Sequence, residues 1–122
     1  MAHGISQLEN REWDFKKGVK FTAKRYTSDG SIDQDYTFIE LHNSSSALSM
    51  TIAAPRKGKF LVITQSDGGT EGHTVTLTAG TFDGTNDIAT FNAQYETLVL
   101  FGVSATRFVI VENIGSVALS SS

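Results

Sequence analysis

The sequence predicts an all-β protein: an antiparallel, jelly-roll-like β-sandwich over residues 19–122, preceded by an extended N-terminal arm over residues 1–18. Three observations carry this expectation. Apolar residues recur with period two, the spacing at which side chains share one face of a strand. Turn signals (SDGS, APRKGK, SDGGTEG, FDGTND, ENIGS) interrupt the chain every roughly 8–12 residues, as in sandwiches and barrels. No segment sustains the three-to-four-residue stripe of an amphipathic helix.

Taken in order, VKFTAKRYT (19–27) sets Val19, Phe21 and Ala23 against Lys20, Thr22 and Lys24. QDYTFIELHN (34–43) alternates Tyr36, Phe38 and Glu40 with Thr37, Ile39 and Leu41, and LSMTIAA (48–54) points Leu48, Met50 and Ile52 inward. HTVTLTAG (73–80) is the clearest alternation, with Val75, Leu77 and Ala79 expected in the core and Thr74, Thr76 and Thr78 outside. Threonine suits such outward positions because its branched Cβ fits the pleat. The runs KFLVITQ (59–65), ETLVLFGVSA (96–105) and RFVIVEN (107–113) are apolar on both faces. Strands of that kind need cover on both sides, and a second subunit is the expected cover. The two Gly-Asp clusters differ in length and neighbours, so no β-roll or solenoid repeat is expected.

With 122 residues the chain is expected to form one domain. It has no cysteine, which removes disulfides, zinc-thiolate sites and thiol nucleophiles. No apolar run is long enough to span a bilayer, and no signal-peptide core precedes residue 15, so a soluble protein made in the cytoplasm is expected. The net charge of −3 is unevenly placed. Residues 1–25 hold six basic side chains against three acids, a balance of +3, while the remainder holds four against ten. A basic head on an acidic body can steer the head toward an acidic surface; a solvated lysine-rich stretch gives the same count.

The stretch DGGTEGHTVTLTAGTFDGTND (67–87) invites a calcium-loop interpretation. An EF-hand loop opening at Asp83 needs glycine at its sixth position and glutamate at its twelfth. Ile88 and Gln94 stand there, so a β-turn is favoured over an ion. Asp67, Glu71 and His73 could gather around a metal, but His73 is expected outside with the threonines, and no metal or other cofactor is assigned. The three histidines and many serines fall in no nucleophile elbow, HExxH or P-loop pattern, so no catalytic residue is assigned and an enzyme is not expected. Lys20-Phe21, Lys24-Arg25-Tyr26 and Lys59-Phe60 pair cations with aromatics as nucleic-acid binders do. Phe21 and Phe60 also suit a core, and the acidic body repels phosphate, so neither nucleic acid nor membrane is an expected partner.

The block from about residue 53 to 121 carries a resemblance. Its features are the strand at Gly58–Ile63, the HTVTLT strand, the TFDGTN turn and the ending ETLVLFGVSATRFVIVENIGSV. It resembles small virion proteins of tailed bacteriophages, the auxiliary head proteins also called decoration or cement proteins. The resemblance implies a β-sandwich, usually trimeric, that sits on the outer surface of an icosahedral capsid and stabilises it against internal DNA pressure. It also implies an N-terminal arm reaching across capsid subunits, and it supplies no site residues.

These lines give one expected function, a structural virion protein bound to the outside of a phage capsid as a homotrimer. In the arm, Leu8, Trp13 and Phe15 are the apolar contacts to the major capsid protein, and Arg11, Lys16, Lys17 and Lys20 the electrostatic ones. Phe101, Val103, Phe108 and Ile110 are the candidate subunit contacts. The alternative is a receptor- or glycan-binding module of a phage head or tail fibre, using loops such as 81–87 and 92–96.

Overall fold

The computed structural model describes residues 20–122. Ten strands form two sheets packed face to face: β1 (Ala23–Tyr26), β2 (Gly30–Ile32), β3 (Phe38–Leu41), β4 (Ser49–Ile52), β5 (Phe60–Gln65), β6 (His73–Leu77), β7 (Ile88–Phe91), β8 (Thr97–Ser104), β9 (Arg107–Ile114) and β10 (Ala118–Ser120). The first sheet has the order β1-β3-β5-β8-β9 and the second β10-β7-β6-β4-β2. The expected all-β sandwich is therefore present, and no helix occurs among the described residues.

The ladders are mixed where antiparallel pairing was expected. β1, β3 and β5 pair in parallel in the first sheet, and β2, β4 and β6 in parallel in the second. Up to β6 the chain crosses to the opposite sheet at every step, so each strand settles beside the one two before it. Parallel neighbours cannot be joined by a tight hairpin, and here the opposite sheet supplies each crossover. From β7 onward the pairings are antiparallel. The early strands thus wind as coils without a sequence repeat. The steps from Ala23 to Phe38 and from Phe38 to Val62 are 15 and 24 residues. Those from Gly30 to Met50 and from Met50 to Val75 are 20 and 25. Unequal crossovers leave no fixed period to detect.

The core lies between the sheets. Ile39, Leu41, Leu61, Ile63, Leu98 and Leu100 line it from the first sheet, and Met50, Ile52, Val75 and Leu77 from the second. The alternation of β3, β4 and β6 follows the apolar pattern of the sequence. Two details depart from it. Ala79 is exposed because β6 ends at Leu77, and the chain turns away at Gly80, whose φ is +84°. His73 shares the phase of Val75 and Leu77 rather than that of the threonines, and it is 1% exposed.

Candidate docking face and its polar rim

Strand register determines which side chains share the outside of each sheet. On the second sheet the outward rows are Ser31–Thr51–Thr76–Ile88–Ser120 and Ser49–Thr74–Thr90–Ala118. Seven of these nine residues carry hydroxyls, which solvent satisfies. The first sheet presents different chemistry. One outward row reads Ala23–Phe38–Val62–Val99–Glu112, and the next Phe60–Phe101–Val109. Phe21, two residues before Ala23, adds its ring to the Phe38 ring at a centroid separation of 6.1 Å. Phe21 is 55% exposed, and Phe38 and Phe60 are each 40% exposed. These rows form a contiguous apolar surface on one face of the sandwich, and that face is the candidate docking face.

Only part of the expected subunit surface lies here. Phe101 and Val103 are exposed on this outer face. Phe108 is a correction: it is fully buried and stacks on Phe82 with ring centroids 6.0 Å apart. Ile110 is partly buried against the core, so it too points inward. On β9 the outward chains are Val109 and Val111, the latter beside a register shift between the pairs of Val99 and Leu100. A run apolar at every position does not reveal its own phase, and the bulge changes that phase mid-strand. Phe21 and Phe60, expected in the core, are on this face instead. Phe38, Phe60 and Val109 were not among the expected subunit contacts. Register with Val62, Val99 and Phe101 is the signal that finds them. Lys20 is exposed where the described chain starts. Leu8, Arg11, Trp13, Phe15, Lys16 and Lys17 lie outside the described residues.

A polar cluster rims the belt. The next outward row is Arg25–Glu40–Thr64–Thr97–Ile114. Arg25 Nη2 donates to Glu40 Oε2 at 2.7 Å, and Ser66 Oγ donates to the same oxygen at 2.5 Å. Those two partners hold the Glu40 carboxyl below its ordinary range, the Ser66 hydroxyl contributing most. His42 Nδ1 lies 2.7 Å from Ser66 Oγ. The serine hydroxyl has one proton and gives it to Glu40, so Nδ1 of His42 must donate to Ser66. A histidine in that tautomer cannot remove the serine proton, and the Glu–His separation of 3.9 Å is too long for a triad. The arrangement is a polar rim of matched, internally bonded groups.

The stretch 67–87 resolves into two closed networks. Asp67 Oδ2 accepts from the Asn43 amide at 2.9 Å and from His73 Nε2 at 2.7 Å, while Oδ1 accepts from the Gly69 amide at 2.8 Å. His73 Nδ1 accepts from the Leu48 amide at 2.9 Å, which fixes the ring proton on Nε2. Burial pushes the Asp67 carboxyl upward, but its hydrogen bonds to Asn43, His73 and Gly69 outweigh that and leave it lowered. Glu71 is exposed and takes no part. In the second network, Asp83 Oδ1 accepts from the amides of Thr85 and Asn86 at 2.9 and 2.7 Å, closing an Asx turn on its own backbone. Among the described residues no three acidic or histidine side chains converge as metal ligands.

Loop 92–96 carries one of the two non-glycine residues with positive φ among the described residues, the other being Ser116. Tyr95 is 66% exposed and adopts φ +68°, a conformation that costs a bulky residue roughly 1 kcal/mol or more. Its amide donates to the Gln65 carbonyl at 2.7 Å, which ties the loop to the end of β5. The sequence matches no protein-family model and no curated protein.

Proposed function

We propose that this chain is a structural virion protein that binds the outer surface of a phage capsid as a trimer and stabilises the head. The contrast between the two outer faces carries the proposal. Both sheets have the same strand number and similar pleat, yet one is clothed in threonine and serine and the other in phenylalanine and valine. A polar rim beside an apolar centre is the anatomy of a protein–protein interface. The titratable clusters are spent on internal hydrogen bonds, which favours docking over turnover. The resemblance of residues 53–121 to head decoration proteins names the partner class.

In this proposal the outer face of the first sheet, with Phe101 and Val103, meets neighbouring copies on the particle. The arm meets the major capsid protein through Leu8, Trp13 and Phe15, helped by Arg11, Lys16, Lys17 and Lys20. A central tryptophan in such a contact is worth about 2 kcal/mol or more, roughly thirtyfold in affinity. Trp13→Ala is therefore expected to lower capsid occupancy at least tenfold in co-sedimentation, with an unchanged circular dichroism spectrum. Decoration at wild-type affinity by that variant counts against the arm's role.

Tyr95 supports a second reading, a glycan- or receptor-binding module of a phage fibre. An exposed aromatic held in a strained loop is a common platform for a sugar ring. A glycan array separates the two: saccharide selectivity that Tyr95→Ala abolishes supports the fibre module, and a blank array supports the capsid protein.

A further inference from the structure

We propose that in the free protein residues 1–19 of the same chain cover the outer face of the first sheet, with Trp13 and Phe15 seated on the Phe60–Phe101–Val109 row. This rests on the proposed reading of that face as a docking surface: on a particle the segment leaves for the capsid and the bared faces meet.

Placement is the first argument. The described chain starts at Lys20, and Phe21 already lies on this face beside Phe38. Phe21 is two residues upstream of Ala23, and Ala23 pairs with Phe38. Phe60 is likewise two residues upstream of Val62, the next partner in that row. Lys20 and Phe21 therefore stand at the apolar end of the sheet and not at the polar Arg25–Glu40 rim.

Reach is the second. From β1 to β9 is four strand spacings, about 19 Å. Six residues separate Phe15 from Phe21, and extended chain covers about 20 Å over that length. Trp13 and Phe15 are two apart, so an extended run would turn both toward the same surface.

Area is the third. The eight apolar positions of the belt (Phe21, Ala23, Phe38, Val62, Val99, Phe60, Phe101 and Val109), at about 4.8 by 6.8 Å each, present roughly 260 Å². That is about a third of the roughly 800 Å² each partner contributes to a standard interface. Two aromatic side chains bury about 150–250 Å² each, together enough to cover the belt. Tethering decides between this segment and one from another molecule. A short covalent tether gives an effective concentration in the millimolar range, above that of other copies in a dilute solution.

Trp13 is the only tryptophan in the chain, so its emission reports on this contact alone. The test uses the full-length protein and the double variant Phe60→Ser/Phe101→Ser, with circular dichroism as the control for folding. Both substituted side chains point away from the core. Wild-type emission is expected to be blue-shifted, with an acrylamide quenching constant several-fold below that of free tryptophan. In the double variant the emission should shift to the red and the quenching constant should rise to the free value. Val109→Lys provides the same readout should the double variant unfold. The proposal is overturned if wild-type Trp13 is quenched like free tryptophan, or if its protection ignores all three substitutions. It is equally overturned if protection disappears on dilution, because the occupant is then a second copy. None of these outcomes bears on capsid co-sedimentation, which tests the functional reading separately.

Discussion

Asp67 keeps its charge with its side chain 1% exposed, and four N–H donors make that tolerable: the Asn43 and Gly69 amides, His73 Nε2 and Gln65 Nε2. The network fastens the segment after β3 to the loop before β6. Asp67→Asn keeps the shape but turns one acceptor into a donor that faces donors. A buried donor left unmatched costs about 1–3 kcal/mol, and hydrogen bonds to a charge are at the upper end. A loss of about 3 kcal/mol in urea unfolding at neutral pH is expected. The acid response follows from the lowered carboxyl. Its stabilisation is complete above the ordinary aspartate value of 3.8 and disappears as pH falls through the lower value of the folded state. The aspartate protein should therefore lose more stability than the asparagine variant between pH 5 and about pH 2, and equal losses would remove Asp67 from the account. Period two in HTVTL already puts His73 in register with Val75 and Leu77. The expectation that it falls outside with the threonines assigned it the wrong phase, and nothing nearby in sequence announced that an acid six residues earlier would accompany the imidazole inward.

β8 shows the same limit at the scale of an element. The existence of strands at 59–65, 96–105 and 107–113 was legible because continuous apolar runs between turn signals have few other structures to form. Their faces were not legible, since every position looked equally fit for the core. Gly102 shows what decides the matter. It is buried on the inward side of β8, and its amide donates to the Lys59 carbonyl at 2.9 Å while its carbonyl accepts from the Gly58 amide at 2.7 Å. A Cβ at this position would collide with the Arg56 carbonyl. The β4–β5 turn therefore lies directly on the strand, and only glycine admits it. Because the obstacle is backbone and not a mobile side chain, Gly102→Ala is expected to cost about 3 kcal/mol, the upper part of the range for overpacking. A urea midpoint equal to wild type would show that the turn yields freely. The glycine itself was visible in LFGVSA, but its neighbour is 46 residues away in the chain.

At the scale of the whole molecule, the sandwich was readable and its winding was not. Period two and turn spacing specify strands and their inward sides, but parallel and antiparallel neighbours impose the same alternation on a strand. The winding in turn sets which outward residues become neighbours. Phe38, Val62 and Val99 come from three distant segments, and only the parallel β3–β5 and antiparallel β5–β8 pairings line them up. The same pairing logic sets Thr51 beside Thr76 on the other side of the molecule. Charges added to these two faces should therefore have unequal consequences. Phe101→Glu removes an anchor from the apolar belt and puts a charge where a partner must exclude water. Charges trapped unpaired in an interface cost several kcal/mol, so on the proposed reading of this face capsid decoration should fall at least thirtyfold. Thr51→Lys and Thr76→Lys, on the hydroxyl face, should leave decoration within about twofold. All three side chains point away from the core, so each variant is expected to unfold within about 1 kcal/mol of wild type. Equal loss of decoration from both faces would mean that the protein is buried on all sides in the particle; loss from the threonine face alone would assign docking to the wrong sheet.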